Sequence, residues 1–232
     1  MNSDKAVVLS SGGLNSAVLT SLAVKEHAVR LLHVRYGHRA QTQETALFEK
    51  QAAFFNLKDK LTLDLPHFAA LGNSARVNRK KQIEDALAIG EGASNCWVPG
   101  LIGSLLNAAF GWASIVGAGK IFIGISEDLG PPGPRTRSIY PDYSRECVQL
   151  HNHLLAEMSR GKPIVIEAPL VDMSRTEIVK LGSRLNTPFE LTWSCLSSGT
   201  QPCGGCVGCA TRSRGFLDAA VPDPILSLAT QR

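Results

Sequence analysis

Glycine and hydroxyl side chains are concentrated in one segment near the start of the chain, from Ser10 to Ser16. An apolar run from Ala6 to Leu9 precedes it and is typical of a buried β-strand, and the apolar pattern that starts at Ala17 indicates an α-helix. Two central glycines let the backbone approach a bulky anion closely. Free N–H groups and the dipole at a helix N-terminus favour an anion such as phosphate. The segment therefore predicts a phosphate-binding turn between a strand and a helix.

Three side chains of the same segment could assist in binding an anion. Ser11 and Ser16 offer hydroxyl groups, and Asn15 offers either a helix cap or an amide donor. The segment differs from a Walker loop because no lysine follows its glycines, and it lacks the Gly-x-Gly-x-x-Gly spacing of dinucleotide-binding turns. An ordinary strand-to-helix turn is the alternative that two glycines alone leave open.

A second cluster with chemical potential lies near the C-terminus, where four of the six cysteines fall at positions 195, 203, 206 and 209. Gaps of two residues let successive thiolates turn inward around a tetrahedral metal ion. We therefore predict that Cys195, Cys203, Cys206 and Cys209 bind zinc, with an iron–sulfur cluster as the second choice and a metal-free loop as the third. Four thiolates leave no open coordination position, so the predicted zinc is structural.

Apolar runs and helical patterns alternate along the chain, which predicts βαβ units and an α/β, doubly wound parallel sheet. Strands after the first are predicted at 29–35, 60–65, 120–125 and 164–167, and the later helices at 41–55, 98–115, 142–159 and 174–185. Residues 66–95 are predicted to form a loop-rich excursion. Because ligands bind at the carboxyl ends of such strands, the segment from Ser10 to Ser16, Tyr36 and Glu127 should meet at one edge.

The bulk composition of the 232 residues fits this interpretation. Apolar residues make up 44% of the chain, which is enough for a buried core, and the net charge of +4 suits small anionic ligands without itself arguing for nucleic acid. The sequence contains no apolar run of membrane-spanning length and no secretion signal at its start, so we expect a cytoplasmic protein with no membrane partner. We predict one α/β domain over 1–190 and a zinc-binding tail over 191–232 that packs on it.

The first segment resembles the pyrophosphate loop of the N-type ATP pyrophosphatases, whose pattern is Ser-Gly-Gly-x-Asp-Ser, with Asn15 in place of the acid. Other motifs of the chain agree with one family in the same order, and the whole chain resembles the 7-cyano-7-deazaguanine synthase family (QueC/ExsB). These motifs begin at Tyr36, Val98, Glu127, Tyr140, Pro169 and Thr192, and the last one leads into the four cysteines.

The resemblance implies an adenine-nucleotide α-hydrolase fold, which is Rossmann-like, and a structural Zn²⁺. It also implies that ATP with Mg²⁺ adenylates the carboxylate of 7-carboxy-7-deazaguanine, that ammonia displaces AMP, and that a second ATP helps to form the nitrile. The ATP-binding residues that it implies are Leu9, Ser10, Ser11, Gly12, Gly13, Leu14, Asn15, Ser16 and Tyr36. The catalytic residues that it implies are Ser11, Asn15, Ser16 and Arg39.

A deazaguanine presents adjacent donors, N1–H and an exocyclic amine, which a carboxylate accepts well. Glu127, Asp128 and Asp142 are the predicted partners, with Tyr140 beside them, because they follow strand four. Asp128 could instead only solvate a loop, and Asp142 could be the N-cap of the next helix.

Three departures from the synthase pattern fall at the predicted site: Asn15 for an acid, Leu101-Ile102 for Arg-Asn, and Tyr36-Gly37-His38-Arg39-Ala40 for Tyr-Gly-Gln-Arg-His. They leave two alternatives to nitrile synthesis. One is a ligase that passes the activated acid to another nucleophile such as a protein amine, since related proteins occur in antiviral defence operons. The other is a non-catalytic nucleotide-binding scaffold. A homodimer is a further candidate assembly.

Overall fold

A computed structural model of the chain describes residues 4–90, 92–128, 138–159 and 161–225. Five parallel strands form one sheet in the order β3-β2-β1-β4-β5. Their bounds are Lys5–Leu9 (β1), Ala28–Arg35 (β2), Lys60–Asp64 (β3), Lys120–Phe122 (β4) and Val165–Glu167 (β5). This confirms the predicted α/β fold with a doubly wound parallel sheet.

Helices cover both faces of the sheet, as a parallel sheet requires. They are Leu14–Ala23 (α1), Gln41–Phe54 (α2), His67–Leu71 (α3), Leu101–Val116 (α4), Arg145–Met158 (α5), Arg175–Arg184 (α6) and Val207–Ala219 (α7). No helix in the described part of the chain is long and apolar enough to cross a bilayer.

The apolar sequence of the central strand β1 accounts for its buried position in the sheet. Ala6, Val7 and Val8 have no exposed surface, and their side chains alternate between two cores. Ala6 and Val8 pack with residues of α1, α2, α6 and α7, whereas Val7 packs with residues of α4 and α5. The order of the strands reverses at β1, between β2 and β4, so the switch point lies directly beside the glycine segment.

Several elements differ from the sequence prediction. Helices α3 and α7 lie where no helix was predicted, α4 begins at Leu101 rather than at residue 98, and β4 and α5 have other bounds. Strand β4 ends at Phe122 rather than at residue 125, because the carbonyl of Gly124 accepts a hydrogen bond from the Asn15 side chain at 3.0 Å instead of extending the ladder. Helix α5 begins at Arg145 rather than at Asp142, because Ser144 is its N-cap and accepts from the N–H of Cys147 at 3.1 Å.

The C-terminal segment packs closely on the sheet-bearing part of the chain. Helix α7 lies against α6, and the rings of Phe189 and Phe216 meet edge to face at 4.9 Å. The buried guanidinium of Arg212 bonds to Asp223 at 2.7 Å and to the hydroxyl of Thr192 at 2.7 Å. These buried, charge-assisted contacts tie both ends of this segment together.

Candidate active site

The glycine loop, which we define as Ser10–Ser16, joins β1 to α1 at the carboxyl edge of the sheet. Gly12 has a φ of +82°, and a Cβ there would lie 2.2 Å from the backbone oxygen of Glu44, so only glycine fits. The Ser11 hydroxyl accepts from the N–H of Gly13 at 3.1 Å and lies 3.4 Å from the Ser16 hydroxyl. Both predicted hydroxyls therefore lie at the same turn.

Gly13, not Asn15, holds the N-cap position of α1, and no side chain caps this helix. The first N–H groups of an α-helix have no partner within the helix. The glycine loop therefore presents free donors at the positive end of the helix dipole, which suits a phosphate.

Asn15 links the loop to two distant elements instead of capping the helix. Its amide nitrogen donates to Gly124 at 3.0 Å, and its amide oxygen accepts from the guanidinium of Arg175 at the start of α6. Burial lowers the pKa of Arg175 to about 10, and Asp128 opposes that change, so the group is charged at neutral pH. Arg175 thus places a positive charge beside the glycine loop, which contains no lysine or arginine of its own.

A cavity of about 210 Å³ opens at the loop. Its lining includes every loop residue except Gly12, together with side chains from the ends of β2 and β4, the start of α4 and the C-terminal segment. Leu32, Val34, Leu101, Ile102 and Ile123 form an apolar wall. A cavity that is mostly apolar with a few polar groups is typical of a small-molecule site.

Tyr36, Glu44 and Arg76 line the far wall of the cavity, and together with His38 behind them we call them the acid–arginine cluster. The Glu44 carboxylate lies 3.7 Å from Nη2 of Arg76 and 3.5 Å from Nε2 of His38. The Arg76 guanidinium lies 5.7 Å from the centre of the Tyr36 ring, which also stacks on His38 at 4.4 Å. Burial raises the pKa of Glu44 to about 7, although Arg76 opposes this, and lowers that of His38 well below its usual value.

Several buried polar atoms around the cavity have no hydrogen-bond partner among the described residues. They include Nε of Arg76, Nε of Arg175, the Tyr140 hydroxyl, Nε1 of Trp193 and Oγ of Ser10. Unpaired buried polar atoms are rare in native structures, because each costs free energy. They indicate that a polar ligand completes this site.

The acids predicted to bind the base lie elsewhere. Glu127 accepts from the backbone N–H of Arg145 at 2.8 Å, and Asp128 accepts from that of Arg175 at 2.9 Å. Asp142 is no N-cap, since Ser144 has that role, and it accepts from the Trp97 indole at 2.9 Å. The lining residues include none of the three, whereas Tyr140 of the same predicted set does line the cavity.

Arg39, predicted to be catalytic, also faces away from the cavity lining. Its guanidinium donates to the backbone carbonyls of Asn78 and Lys81 and so holds the 66–95 excursion. Tyr36, by contrast, lines the cavity as the prediction of a nucleotide-binding role requires.

Several polar residues of the cavity were not predicted from the sequence, among them Glu44, Arg76, Tyr143 and Arg175. Glu44 lies in a helix that looked like an ordinary amphipathic one, and Arg76 lies in a loop without periodicity. Arg175 is the first residue of α6, where Ser174 and Glu177 form a capping box and the Ser174 hydroxyl accepts from the backbone N–H of Glu177 at 3.2 Å. No local sequence pattern indicates that these residues share a site, because they come together only in the folded chain.

The four C-terminal cysteines form a second site, as predicted. Their sulfur atoms all lie within 4.8 Å of one another, although the residues span two loops and the start of α7. A zinc ion with four thiolates at ~2.3 Å places the sulfurs about 3.8 Å apart, so the cluster fits such an ion after a small contraction. Gly208 allows this fold, because a Cβ there would lie 1.9 Å from the carbonyl of Ser194.

Comparison with known proteins decides the family. The profile of the family described as "Queuosine biosynthesis protein QueC" matches residues 5–220. The chain belongs to the QueC family. The 7-cyano-7-deazaguanine synthase of Koribacter versatilis is 35% identical over 226 residues, which is 95% of this chain and 92% of that protein. That of Acidobacterium capsulatum is 33% identical, with 96% of each chain covered.

Among solved structures, the NMN synthetase of Francisella tularensis gives a TM-score of 0.48 with 16% identity. The match covers 97% of this chain and 82% of that one. A likeness this distant supports no statement about chemistry. Membership of the QueC family relates this chain to proteins named 7-cyano-7-deazaguanine synthase. The function of the QueC chain described here is argued below from its own cavity residues.

Proposed function

We propose that this chain activates the carboxylate of 7-carboxy-7-deazaguanine by adenylation with ATP, and that ammonia then displaces AMP on the way to 7-cyano-7-deazaguanine. The names of the relatives suggest the product. The observation that carries the proposal is the glycine loop, whose free N–H groups and hydroxyls face a cavity of ligand size at the switch point of the sheet.

The proposed chemistry needs an anion site at the glycine loop. A carboxylate is a poor electrophile, and adenylation gives it AMP as a leaving group while pyrophosphate departs. The N–H groups at the start of α1 and the Arg175 guanidinium would stabilise the charge on that pyrophosphate. Ser11 and Ser16 would add hydroxyl donors from the same turn.

Magnesium would accompany ATP and neutralise phosphate charge. Asn15 is uncharged, and Glu44 is the one carboxylate among the described residues that line the cavity. The ion would therefore be held mainly by phosphate oxygens, with Ser11 and Ser16 as the nearest protein oxygens of the loop. Magnesium commonly keeps such a coordination, with few protein ligands and several waters.

Arg76 and Tyr140 would bind polar atoms of the deazaguanine. Both residues offer buried donors without partners among the described residues, and these donors suit carbonyl or carboxylate oxygens of the substrate. The apolar wall, which includes Leu101 and Ile102, would cover the planar rings.

The apolar wall of the cavity supports a second candidate function. Leu101 and Ile102 are both buried and line the cavity at the place where the synthase pattern has Arg-Asn. An apolar surface there favours a ligase that passes the activated acid to a different nucleophile, such as an amine of a protein. Both functions share the adenylation step and differ only in what displaces AMP.

The four-cysteine cluster is proposed to hold a structural zinc ion. The tail that it would fix contributes Trp193, Ser194, Val207 and Thr211 to the cavity lining. The ion would act on the site by holding these residues in place, since four thiolates leave no position for a substrate.

One incubation separates the candidates. The purified protein is mixed with ATP, Mg²⁺ and 7-carboxy-7-deazaguanine, with and without ammonium, and AMP, pyrophosphate and deazaguanine products are measured by chromatography and mass spectrometry. Nitrile supports the synthase. AMP with amide or a conjugate only supports the ligase. No acid-dependent AMP formation would contradict both and leave the non-catalytic scaffold.

A further inference from the structure

Glu44 occupies an unusual position for a carboxylate. It lies in the first turn of α2, and its backbone packs directly against Gly12, so its side chain is next to the glycine loop. The side chain is only 8% exposed, yet it lines the cavity. Within the described residues, no hydrogen bond reaches either of its carboxylate oxygens.

The described groups that face Glu44 leave its carboxylate free to bind a ligand or a proton. Nε2 of His38 lies 3.5 Å away and Nη2 of Arg76 lies 3.7 Å away, both beyond the ~2.7–2.9 Å of a charge-assisted hydrogen bond. The phenols of Tyr36 and Tyr143 are further neighbours. His38 is neutral, because burial lowers its pKa, so among the described residues Arg76 is the cation that balances the charge of the carboxylate.

The other cavity-lining side chains cannot exchange a proton near neutral pH. Burial raises the pKa values of Tyr36, Tyr140 and Tyr143, and arginine does not deprotonate at such a pH. No histidine, lysine or aspartate belongs to the described lining. Glu44 is therefore the one group of that lining that can both accept and release a proton.

From this arrangement we propose that Glu44 is the catalytic base that takes a proton from the nitrogen nucleophile before it attacks the adenylated acid. The proposal rests on the proposed function. The Glu44 carboxylate takes one proton from an ammonium ion or a protonated amine. The freed nitrogen lone pair forms the C–N bond, the C–O bond to AMP breaks, and its electron pair leaves with AMP. The second proton that nitrogen sheds on becoming an amide is lost to water.

The environment of Glu44 fits this role. A base works best when its pKa is close to the working pH, and burial moves the pKa of Glu44 to about 7. Arg76 limits this rise and keeps the ionised form accessible. The carboxylate also attracts the cationic form of the nucleophile, which is the form that predominates in neutral solution.

The test compares two half-reactions in the full-length protein and in Glu44→Gln. The first readout is exchange of labelled pyrophosphate into ATP that depends on the deazaguanine acid and needs no nitrogen source. The second is amide formation at ~pH 7 with ammonium or with hydroxylamine, which is mostly unprotonated at that pH. Glu49→Gln changes an exposed glutamate of the same helix and is the matched control.

We expect Glu44→Gln to keep the exchange within about twofold and to lose about 100-fold or more of the ammonium-dependent rate, with the hydroxylamine-dependent rate retained. Raising the pH to ~9 should recover part of the ammonium rate. Intact exchange with an unchanged ammonium rate, or with equal loss for both nucleophiles, would overturn the role of Glu44 alone. Absence of exchange in the unaltered protein would instead overturn the proposed function and this step with it.

Discussion

The amide oxygen of Asn15 accepts a hydrogen bond from the guanidinium of Arg175, a residue 160 positions further along the chain. The contact joins the glycine loop to the first turn of α6, and the Asn15 amide nitrogen adds a bond to Gly124 beyond β4. One side chain thus fixes the loop relative to the segment after β4 and to the start of α6. Because Asn15 is neutral, it adds no negative charge opposite the Arg175 guanidinium beside the predicted phosphate site.

The first prediction concerns this bridge. Asn15→Ala removes the acceptor of Arg175 and the donor to Gly124 together, and leaves buried polar atoms unpaired. The free energy of unfolding, measured by urea denaturation, should fall by about 1–3 kcal/mol. ATP affinity, measured by calorimetry, should fall as well. Asn73→Ala, at an exposed asparagine, should change neither quantity, and equal behaviour of the two variants would show that the bridge contributes nothing.

The second prediction concerns the approach of the anion. Gly13 is the N-cap of α1, and a Cβ there would lie 3.0 Å from the Ser11 hydroxyl and 3.4 Å from the carbonyl of Trp193. Gly13→Val would therefore fill the turn with a branched side chain and should abolish ATP binding in calorimetry with little loss of secondary structure in circular dichroism.

The matched control for Gly13→Val is Gly119→Val, because a Cβ at Gly119 meets nothing within 4 Å. That variant should bind ATP like the unaltered protein. Full nucleotide affinity in Gly13→Val would refute the assignment of the glycine loop as the phosphate site.

The fold could be predicted from sequence because its signals are local. The run from Ala6 to Val8 can only be a buried central strand, and the capping box of Ser174 and Glu177 marks the start of α6. The four cysteines could likewise be grouped, since short gaps restrict where their sulfurs can lie.

The far half of the cavity could not be predicted in this way. Glu44 and Arg76 are separated by a strand, a helix and an irregular stretch, and they meet only because both flank the carboxyl edge of β2. The sequence favoured Glu127 and Asp142 by their place after strand four. In the fold, donors at Arg145 and Trp97 already engage those carboxylates. Position along the chain therefore indicated the correct edge of the sheet but did not indicate which carboxylate lines the cavity.

The third prediction concerns the metal. If the four-cysteine cluster holds zinc, the purified protein should contain about one zinc ion per chain by elemental analysis. Cys203→Ser should lose the metal and lower the midpoint of thermal unfolding, because α7 begins within the cluster. Cys147→Ser, in α5 and outside the cluster, should keep it. A folded, metal-free protein of undiminished stability would contradict the prediction.

The fourth prediction concerns pH. The pKa of Glu44 is raised from 4.5 to about 7 by burial, so the folded state binds the proton more tightly than the unfolded state does. Ionising Glu44 therefore costs stability, and this cost is absent below pH ~4.5, grows as the pH rises and is complete above pH ~7. At ~1.4 kcal/mol per pKa unit, it amounts to on the order of 3 kcal/mol.

Glu44→Gln removes the ionisable group while nearly keeping its shape. In urea denaturation the variant should therefore be more stable than the unaltered protein at pH ~8 by up to about 3 kcal/mol and close to it at pH ~5. Glu49→Gln, which changes a half-exposed glutamate of the same helix, is the matched control for this comparison. If the difference between Glu44→Gln and the unaltered protein stayed constant from pH ~5 to pH ~8, the Glu44 carboxyl would titrate alike in both states. Burial beside the cavity would then not shift the pKa of Glu44.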